Sequence, residues 1–255
     1  MIGLLRRATF LLICIATWEA ISRSGLVPVL LFPSPLQVAR TLAAGLLSGM
    51  PPPFLLAAAV SLRRILIGFG IALLLGTSLG LAVGRSKLLE DTIGVLLVGL
   101  GSVPSVAYLP VALVWFGLND RAIIFVVVIG STLPIAVSVE SGVRSIPPLL
   151  LRAALTLGAT GPLMFRHVTL PAIVPSIVAG MRGAWAFAWR SLMAGELLIS
   201  TVGLGQVLMR GRETMDMSQV LAVILIIGAL GYAVDNLIFR KLETRVRRKW
   251  GLETA

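Results

Sequence analysis

The chain holds one cysteine, Cys14, and one histidine, His167. A lone thiol closes no disulfide within the chain, and a lone imidazole cannot build a multi-histidine metal site. None of the three lysines, Lys87, Lys241 and Lys249, follows a glycine, so the G-x-x-x-x-G-K-[ST] loop that cradles nucleotide phosphates is missing. Energy-driven work by this protein would therefore draw on ATP hydrolysed by another chain. Charge is scarce too, at 13% of residues. A soluble domain carries about 25%, so this chain lacks the polar surface to coat a soluble globule.

What the sequence has is apolar length. Of its 255 residues 57% are hydrophobic, and uncharged runs such as ILIGFGIALLLGTSLGLAVG (65–84) and AIIFVVVIGSTLPIAVSV (122–139) approach the roughly 20 residues that cross a bilayer as a helix. The net charge of +11 does not point to nucleic acid. The basic residues sit at the ends of apolar runs, and six of the 22 lie in RKLETRVRRK (240–249), the pattern of anchoring beside anionic membrane lipid.

The pattern predicts an all-α, polytopic membrane protein with about six transmembrane helices and a single transmembrane domain over 1–255. The spans fall at roughly 8–24, 57–83, within 92–117, 121–139, 171–198 and 217–239, with an interfacial helix at 36–48. The first is read as a retained membrane helix and not a cleaved signal, because Trp18-Glu19 continues it. Gly68, Ala72, Gly76 and Gly80 recur at four-residue spacing in the second span, which lets another helix approach closely. Pro104 and Pro110 interrupt the third span, and Pro134 lies in the fourth. Lys and Arg are richer on the side of Arg6, Arg7 and the 240–249 tail, which predicts both termini in the cytoplasm.

The segment LRAALTLGATGPLMFRHVTLP (151–171) then faces the cytoplasm. It has room for two short helices lying along the membrane, with Gly158 and Gly161-Pro162 supplying the bend between them. It also resembles the cytoplasmic loop of binding-protein-dependent ABC importer permeases. That family's signature is E-A-A-x-x-x-G, nine residues, then I-x-L-P. Here Arg152-Ala153-Ala154 is followed by Gly158, nine residues, and Val168-Thr169-Leu170-Pro171; Arg152 replaces the Glu and Val168 the Ile. TWEAISRSG (17–25), FPSP (32–35), SLRRILIGFGIALLLGTSLGLAVG (61–84), PSVAYLPVALVWFGLND (104–120), SGVRSIPP (141–148), AWRSLMAGELL (188–198) and GLGQVLMRGRETMDM (203–217) resemble the nitrate/sulfonate/taurine branch over nearly the whole chain.

The resemblance implies a type I (MetI-like) importer permease fold in a bacterial inner membrane. It implies pairing with a second permease copy as a homodimer, two cytoplasmic ATPase subunits beneath, and a periplasmic or lipid-anchored binding protein. No cofactor is implied in this chain, since ATP and Mg²⁺ belong to the ATPase. The loop at about 144–170 becomes the coupling region, carried by Arg152, Ala153, Ala154, Leu157, Gly158, Phe165, Arg166, His167, Leu170 and Pro171. In this reading Gly158 permits close backbone contact with the ATPase, and Pro171 restarts a membrane helix at a fixed angle. Arg152 inverts the family's charge, which implies an altered partner contact.

Charges inside a span usually face protein or water. The fifth span carries Arg182, Arg190 and Glu196 beside Trp185 and Trp189. Arg190 is the candidate for meeting an anionic cargo, because a planar guanidinium matches sulfonate, nitrate or carboxylate oxygens; an ion pair with Glu196 is the competing role. Trp185, Trp189 and Glu196, with Ser102 and Pro104 at the break in the third span, complete the candidate path, and packing explains the tryptophans equally well. The residues indicate no catalytic or metal site. The cargo reading is an alkanesulfonate, taurine or nitrate, with bicarbonate, aromatic carboxylates or vitamin precursors as alternatives in the same branch. A self-sufficient carrier would need ionisable residues along several spans and no docking loop.

Overall fold

The computed structural model describes residues 2–25, 27–28, 30–50, 52–199 and 201–251, and all regular structure among them is helical. In chain order the helices are α1 (Ile2–Arg23), α2 (Pro35–Leu47), α3 (Pro53–Arg85), α4 (Lys87–Gly101), α5 (Ser105–Phe116), α6 (Asp120–Arg144), α7 (Pro148–Thr156), α8 (Gly161–Leu198), α9 (Leu204–Glu213) and α10 (Met217–Lys249). Two compact units divide the chain, one of residues 1–61 and 200–229, the other of residues 62–199 and 230–255.

In the first unit, the chain turns back onto α1. The Trp18 indole donates to the Pro33 carbonyl at 3.0 Å, and the Ser22 hydroxyl donates to the Phe32 carbonyl at 3.1 Å. Ser34 then starts α2 with a reciprocal cap: its hydroxyl accepts from the Gln37 N–H, and the Gln37 side chain accepts from the Ser34 N–H. The buried Ser61 hydroxyl accepts from the N–H of Leu204 at 2.9 Å, satisfying one of the free donors at the start of α9.

The second unit is built around α3, α6 and α8. The expected small-residue stripe on α3 meets α6. A Cβ on Gly76 would lie 2.7 Å from the Thr132 carbonyl oxygen, one on Gly68 2.7 Å from the Val127 side chain, and one on Gly80 2.7 Å from Val139. Only hydrogen fits at these positions, so the backbones close up and dispersion contacts replace the side chains. On its other side α6 packs against α8 in the same way, with Gly142 against Ser176 and Gly180 against Ser138. Residues 76–80, GTSLG, also spell a G-x-S-x-G pattern. They lie in mid-helix, not at a strand-to-helix turn, and the two glycines serve this packing.

Four helices, α3, α6, α8 and α10, are long and apolar enough to cross a membrane, and the pair α4–α5, bent by 99°, makes up to five. The remaining expected crossing is α1, which is helical over 22 residues but does not fall among these. Pro104 breaks the α4–α5 span as expected. Pro110 does not, because it sits in the first turn of its α-helical stretch, where its missing N–H is not needed.

The expected start of the fifth span at Pro171 is corrected. The helix runs unbroken from Gly161, and residues Phe165–Thr169 form a π turn in which the Leu170 N–H donates to the Phe165 carbonyl. The wider turn relaxes the hydrogen-bond ladder where Pro171 can neither donate nor avoid the carbonyl four residues back. Segment 148–170 is therefore one short helix plus the first turns of α8, not two separate short helices. The sixth span is also longer than expected: α10 continues through a π turn at Asp235–Phe239 into the basic tail.

Candidate functional sites: a protruding helix and an arginine-lined cavity

The first site is α7 and the turn after it. Pro147 and Pro148 open the helix, and α7 closes at Gly158 in a Schellman arrangement. The Ala159 N–H donates to the Ala154 carbonyl at 2.9 Å and the Gly158 N–H to the Leu155 carbonyl at 3.0 Å. Gly158 has φ +81°, which a side chain disfavours, and nothing lies within 4 Å of a Cβ placed there. Within this chain the turn's handedness, not close contact, is what requires glycine here.

Around this turn Ala154 is buried, whereas Arg152, Ala153, Leu157, Arg166, His167 and Leu170 are exposed and Phe165 and Pro171 are half-buried. Leu149 is 78% exposed and Leu157 86%, and Leu155 and Leu163 lie open beside them. A helix that turns its leucines outward beside two arginines offers an apolar ridge with a basic rim. Its base is held firmly. The Arg85 guanidinium stacks on the Phe165 ring with its carbon 4.9 Å from the centroid, Arg144 pairs with Glu90 and Glu140, and the Trp250 indole donates to the Pro171 carbonyl at 2.9 Å.

The second site is a cavity of about 1000 Å³ between α4, α5, α6 and α8. Ser102 and Pro104 at the helix break line it, together with Arg190 of α8, so the structure brings these three sequence candidates together. Arg190 is the only charged residue in the lining. It is exposed, its guanidinium carbon lies 5.2 Å from the Phe187 ring centroid, and no carboxylate pairs with it among the described residues. The hydroxyl protons nearby are mostly spent. Ser102 donates to the Val98 carbonyl at 3.1 Å, Ser138 to the Ser176 carbonyl at 2.9 Å, and Tyr108 to the Leu100 carbonyl at 3.3 Å. Ser191 donates to the Phe187 carbonyl at 2.8 Å, so in its 2.7 Å contact with Ser105 the Ser105 hydroxyl is the donor. The guanidinium N–H groups and the hydroxyls of Ser141 and Ser176 are thus the donors left for a guest.

The other candidates lie elsewhere. Trp185 is buried, edge-on to Phe69 at 5.3 Å and 5.6 Å from Phe239, and Trp189 stacks on Trp185 at 6.2 Å. Both tryptophans belong to the apolar core. Glu196 pairs with Arg64 of α3 at 2.7 Å, and Arg64 also reaches Asp120 of α6 at 2.7 Å. Sequence reasoning did not single out Arg64 and missed this cluster; the signal was an arginine abutting an uncharged run and a glutamate inside a span. It also missed that Arg182 holds both carboxylate oxygens of Asp235, at 2.8 and 2.9 Å, and Glu243 at 2.9 Å.

Residues 68–248 match the family described as binding-protein-dependent transport system inner membrane component. The chain is 30% identical over 238 residues to the taurine transport system permease protein TauC of Escherichia coli (strain K12), covering 92% of this chain and 86% of that one. It is 32% identical over 179 residues to the bicarbonate transport system permease protein CmpB of Synechococcus elongatus, covering 70% of this chain and 64% of that one. Among solved structures, an amino acid ABC transporter crystallised with histidines superposes with a TM-score of 0.61 at 20% identity, over 78% of this chain and 95% of that one. At that identity the likeness is one of fold.

Proposed function

The chain belongs to the family of binding-protein-dependent transport system inner membrane components, multi-pass permease subunits of ABC importers, and on that premise we propose that it carries a small oxyanion across the bacterial inner membrane, with taurine and aliphatic sulfonates as the first cargo class. The observation that carries the cargo reading is Arg190, the single charge in the cavity lining, free of any carboxylate partner among the described residues. A guanidinium with open N–H donors in an otherwise uncharged cavity attracts an oxyanion and repels cations. Its stacking on Phe187 restrains the planar group without neutralising it.

In this reading two copies of the chain form the path, and two ATPase subunits bind beneath on the α7 ridge around Gly158, with ATP and Mg²⁺ held by them. A binding protein delivers cargo to the opposite face, and both termini lie in the cytoplasm. Closure of the ATPase pair would press on α7; the cation stack of Arg85 on Phe165 and the unbroken α8 would carry that displacement toward the cavity. The chain's own part is mechanical and electrostatic, a permease subunit and not a catalyst. The likeness to CmpB, a bicarbonate permease by name, favours bicarbonate as a second cargo reading, because Arg190 would serve a planar carbonate equally well.

Reconstitution tests this. The chain is placed in proteoliposomes with its cognate ATPase and binding protein, and uptake of radiolabelled taurine and of bicarbonate is followed. The reading expects ATP-dependent uptake of one anion and silence without the ATPase. Cargo movement by the chain alone would overturn it.

A further inference from the structure

Two walls of the cavity, α6 and α8, are fastened at one end by a charge cluster that the transport reading does not use. Arg64 of α3 is 2% exposed and Glu196 of α8 is fully buried, with 2.7 Å between Nη1 and Oε1. The second amino group of Arg64 reaches Asp120, the first residue of α6, at 2.7 Å, and Arg63 stands 3.8 Å from the other oxygen of Asp120. One guanidinium therefore joins three helices at the end of α6 and α8 farthest from α7. The cavity lining begins beside it at Ala194 on α8 and farther along at Ile129 on α6.

Below the cluster the α6–α8 seam stays closed through small residues. Gly195 faces Ile123, and Gly142 and Gly180 face serines of the opposite helix. The wall made by α4 and α5 is built differently. It is broken at Ser102–Pro104, bends by 99°, and carries Gly99 and Gly101 with nothing within 4 Å of an added Cβ. It is joined to α8 by the hydrogen bond from the Ser105 hydroxyl to that of Ser191.

We propose that Arg64 is a positioning residue that pins α6 to α8, so that the cavity opens at this end by displacement of the broken α4–α5 wall and never by parting of the α6–α8 seam. Separating α6 from α8 would strand buried Glu196 without its guanidinium in a low-dielectric setting, or pull Arg64 away from the partly exposed Asp120, the least favourable way for these helices to move. Shifting α5 exchanges one hydroxyl pair and apolar contact, that of buried Leu109 and Ala112 and of Phe116 on Phe125 included, but strands no charge. The proposal rests on the transport reading for its purpose, but its test reads accessibility and not uptake, so a failed uptake assay would count against that reading alone.

The background is the full chain with Cys14→Ser, which removes the exposed native thiol, carrying Ser102→Cys as a cavity reporter for a membrane-impermeant maleimide. A disulfide between Ile123→Cys and Gly195→Cys should leave reporter labelling within about twofold of the reduced form, whereas one between Ser105→Cys and Ser191→Cys should slow it at least about tenfold. The reverse pattern, with the α6–α8 bridge blocking labelling or the α5–α8 bridge having no effect, overturns the proposal. In a second arm Gly195→Cys is the only thiol. It should be protected with Arg64 present and labelled at least about tenfold faster with Arg64→Gln; unchanged protection would show that the seam does not depend on Arg64.

Discussion

Arg64 and Glu196 sit 132 positions apart in the chain, yet their side chains meet at 2.7 Å with almost no exposure to solvent. Once both charges are buried, their desolvation is already spent, so the damage comes from removing one partner. Glu196→Ala should cost about 3–5 kcal/mol, read as a lowered melting temperature in detergent. Replacing both, with Arg64→Met and Glu196→Leu, should recover much of that loss, because Asp120 keeps Arg63 nearby and is partly exposed. A double variant no more stable than Glu196→Ala would contradict this assignment.

Arg190 is expected to set cargo affinity with little effect on folding, since it lies exposed in the cavity without an ion pair among the described residues. Arg190→Gln removes a charge-assisted contact worth about 2 kcal/mol, which lowers uptake at limiting cargo roughly 30-fold. Arg190→Lys keeps the charge but loses the planar fork, so its uptake falls between the two. Kinetics with the binding protein held constant separate these cases, and wild-type uptake by Arg190→Gln would remove the residue from the path.

Gly76 tests the α3–α6 seam. Even an alanine Cβ there would stand 2.7 Å from the Thr132 carbonyl oxygen and 2.8 Å from Ile135. Gly76→Leu should therefore destabilise by about 1–3 kcal/mol or more through overpacking. Gly70, on the same helix with open space around it, should accept alanine with little change. Equal melting temperatures for Gly76→Leu and Gly70→Ala would deny the close approach.

Much of this was legible because the signals were local. The four-residue spacing of Gly68, Ala72, Gly76 and Gly80 is a face of one helix, and α6 does meet that face. Pro104 marks a break, and the helix does bend there; Arg190, Ser102 and Pro104, each notable in the sequence as a charge or a break within a span, line one cavity. What failed to show was long-range. Glu196 looked like a partner for Arg190 on its own helix, whereas its guanidinium comes from α3, a pairing that no sequence period encodes. Pro171 looked like a helix start because proline usually is one; the π turn that carries the helix past it depends on hydrogen bonds that composition does not announce. The aromatic pair Trp185 and Trp189 fits a binding wall and a core equally well from spacing alone, and Phe69 and Phe239 draw it into the core.

Gly158 separates backbone geometry from contact. Its φ of +81° makes alanine cost about 1 kcal/mol at the turn, while the open space around it means that no atom of this chain would clash. Gly158→Ala should lower the melting temperature by only about 2–4 °C and lower the ATP-driven uptake rate, because the following residues leave the ridge at a different angle. A bulky replacement should lower uptake further if an ATPase surface lies against this turn. Full uptake by Gly158→Trp in a normally assembled transporter would speak against docking here.

The most direct measurement is a photo-cross-linking amino acid placed at Leu157, the most exposed leucine of the ridge, in the assembled and transporting complex. A motor that grips the α7 turn yields a covalent adduct between position 157 and the ATPase subunit. An active complex that gives no adduct there, while a probe at Leu88 captures the ATPase instead, would place the grip elsewhere and contradict the assignment of α7 as the coupling element.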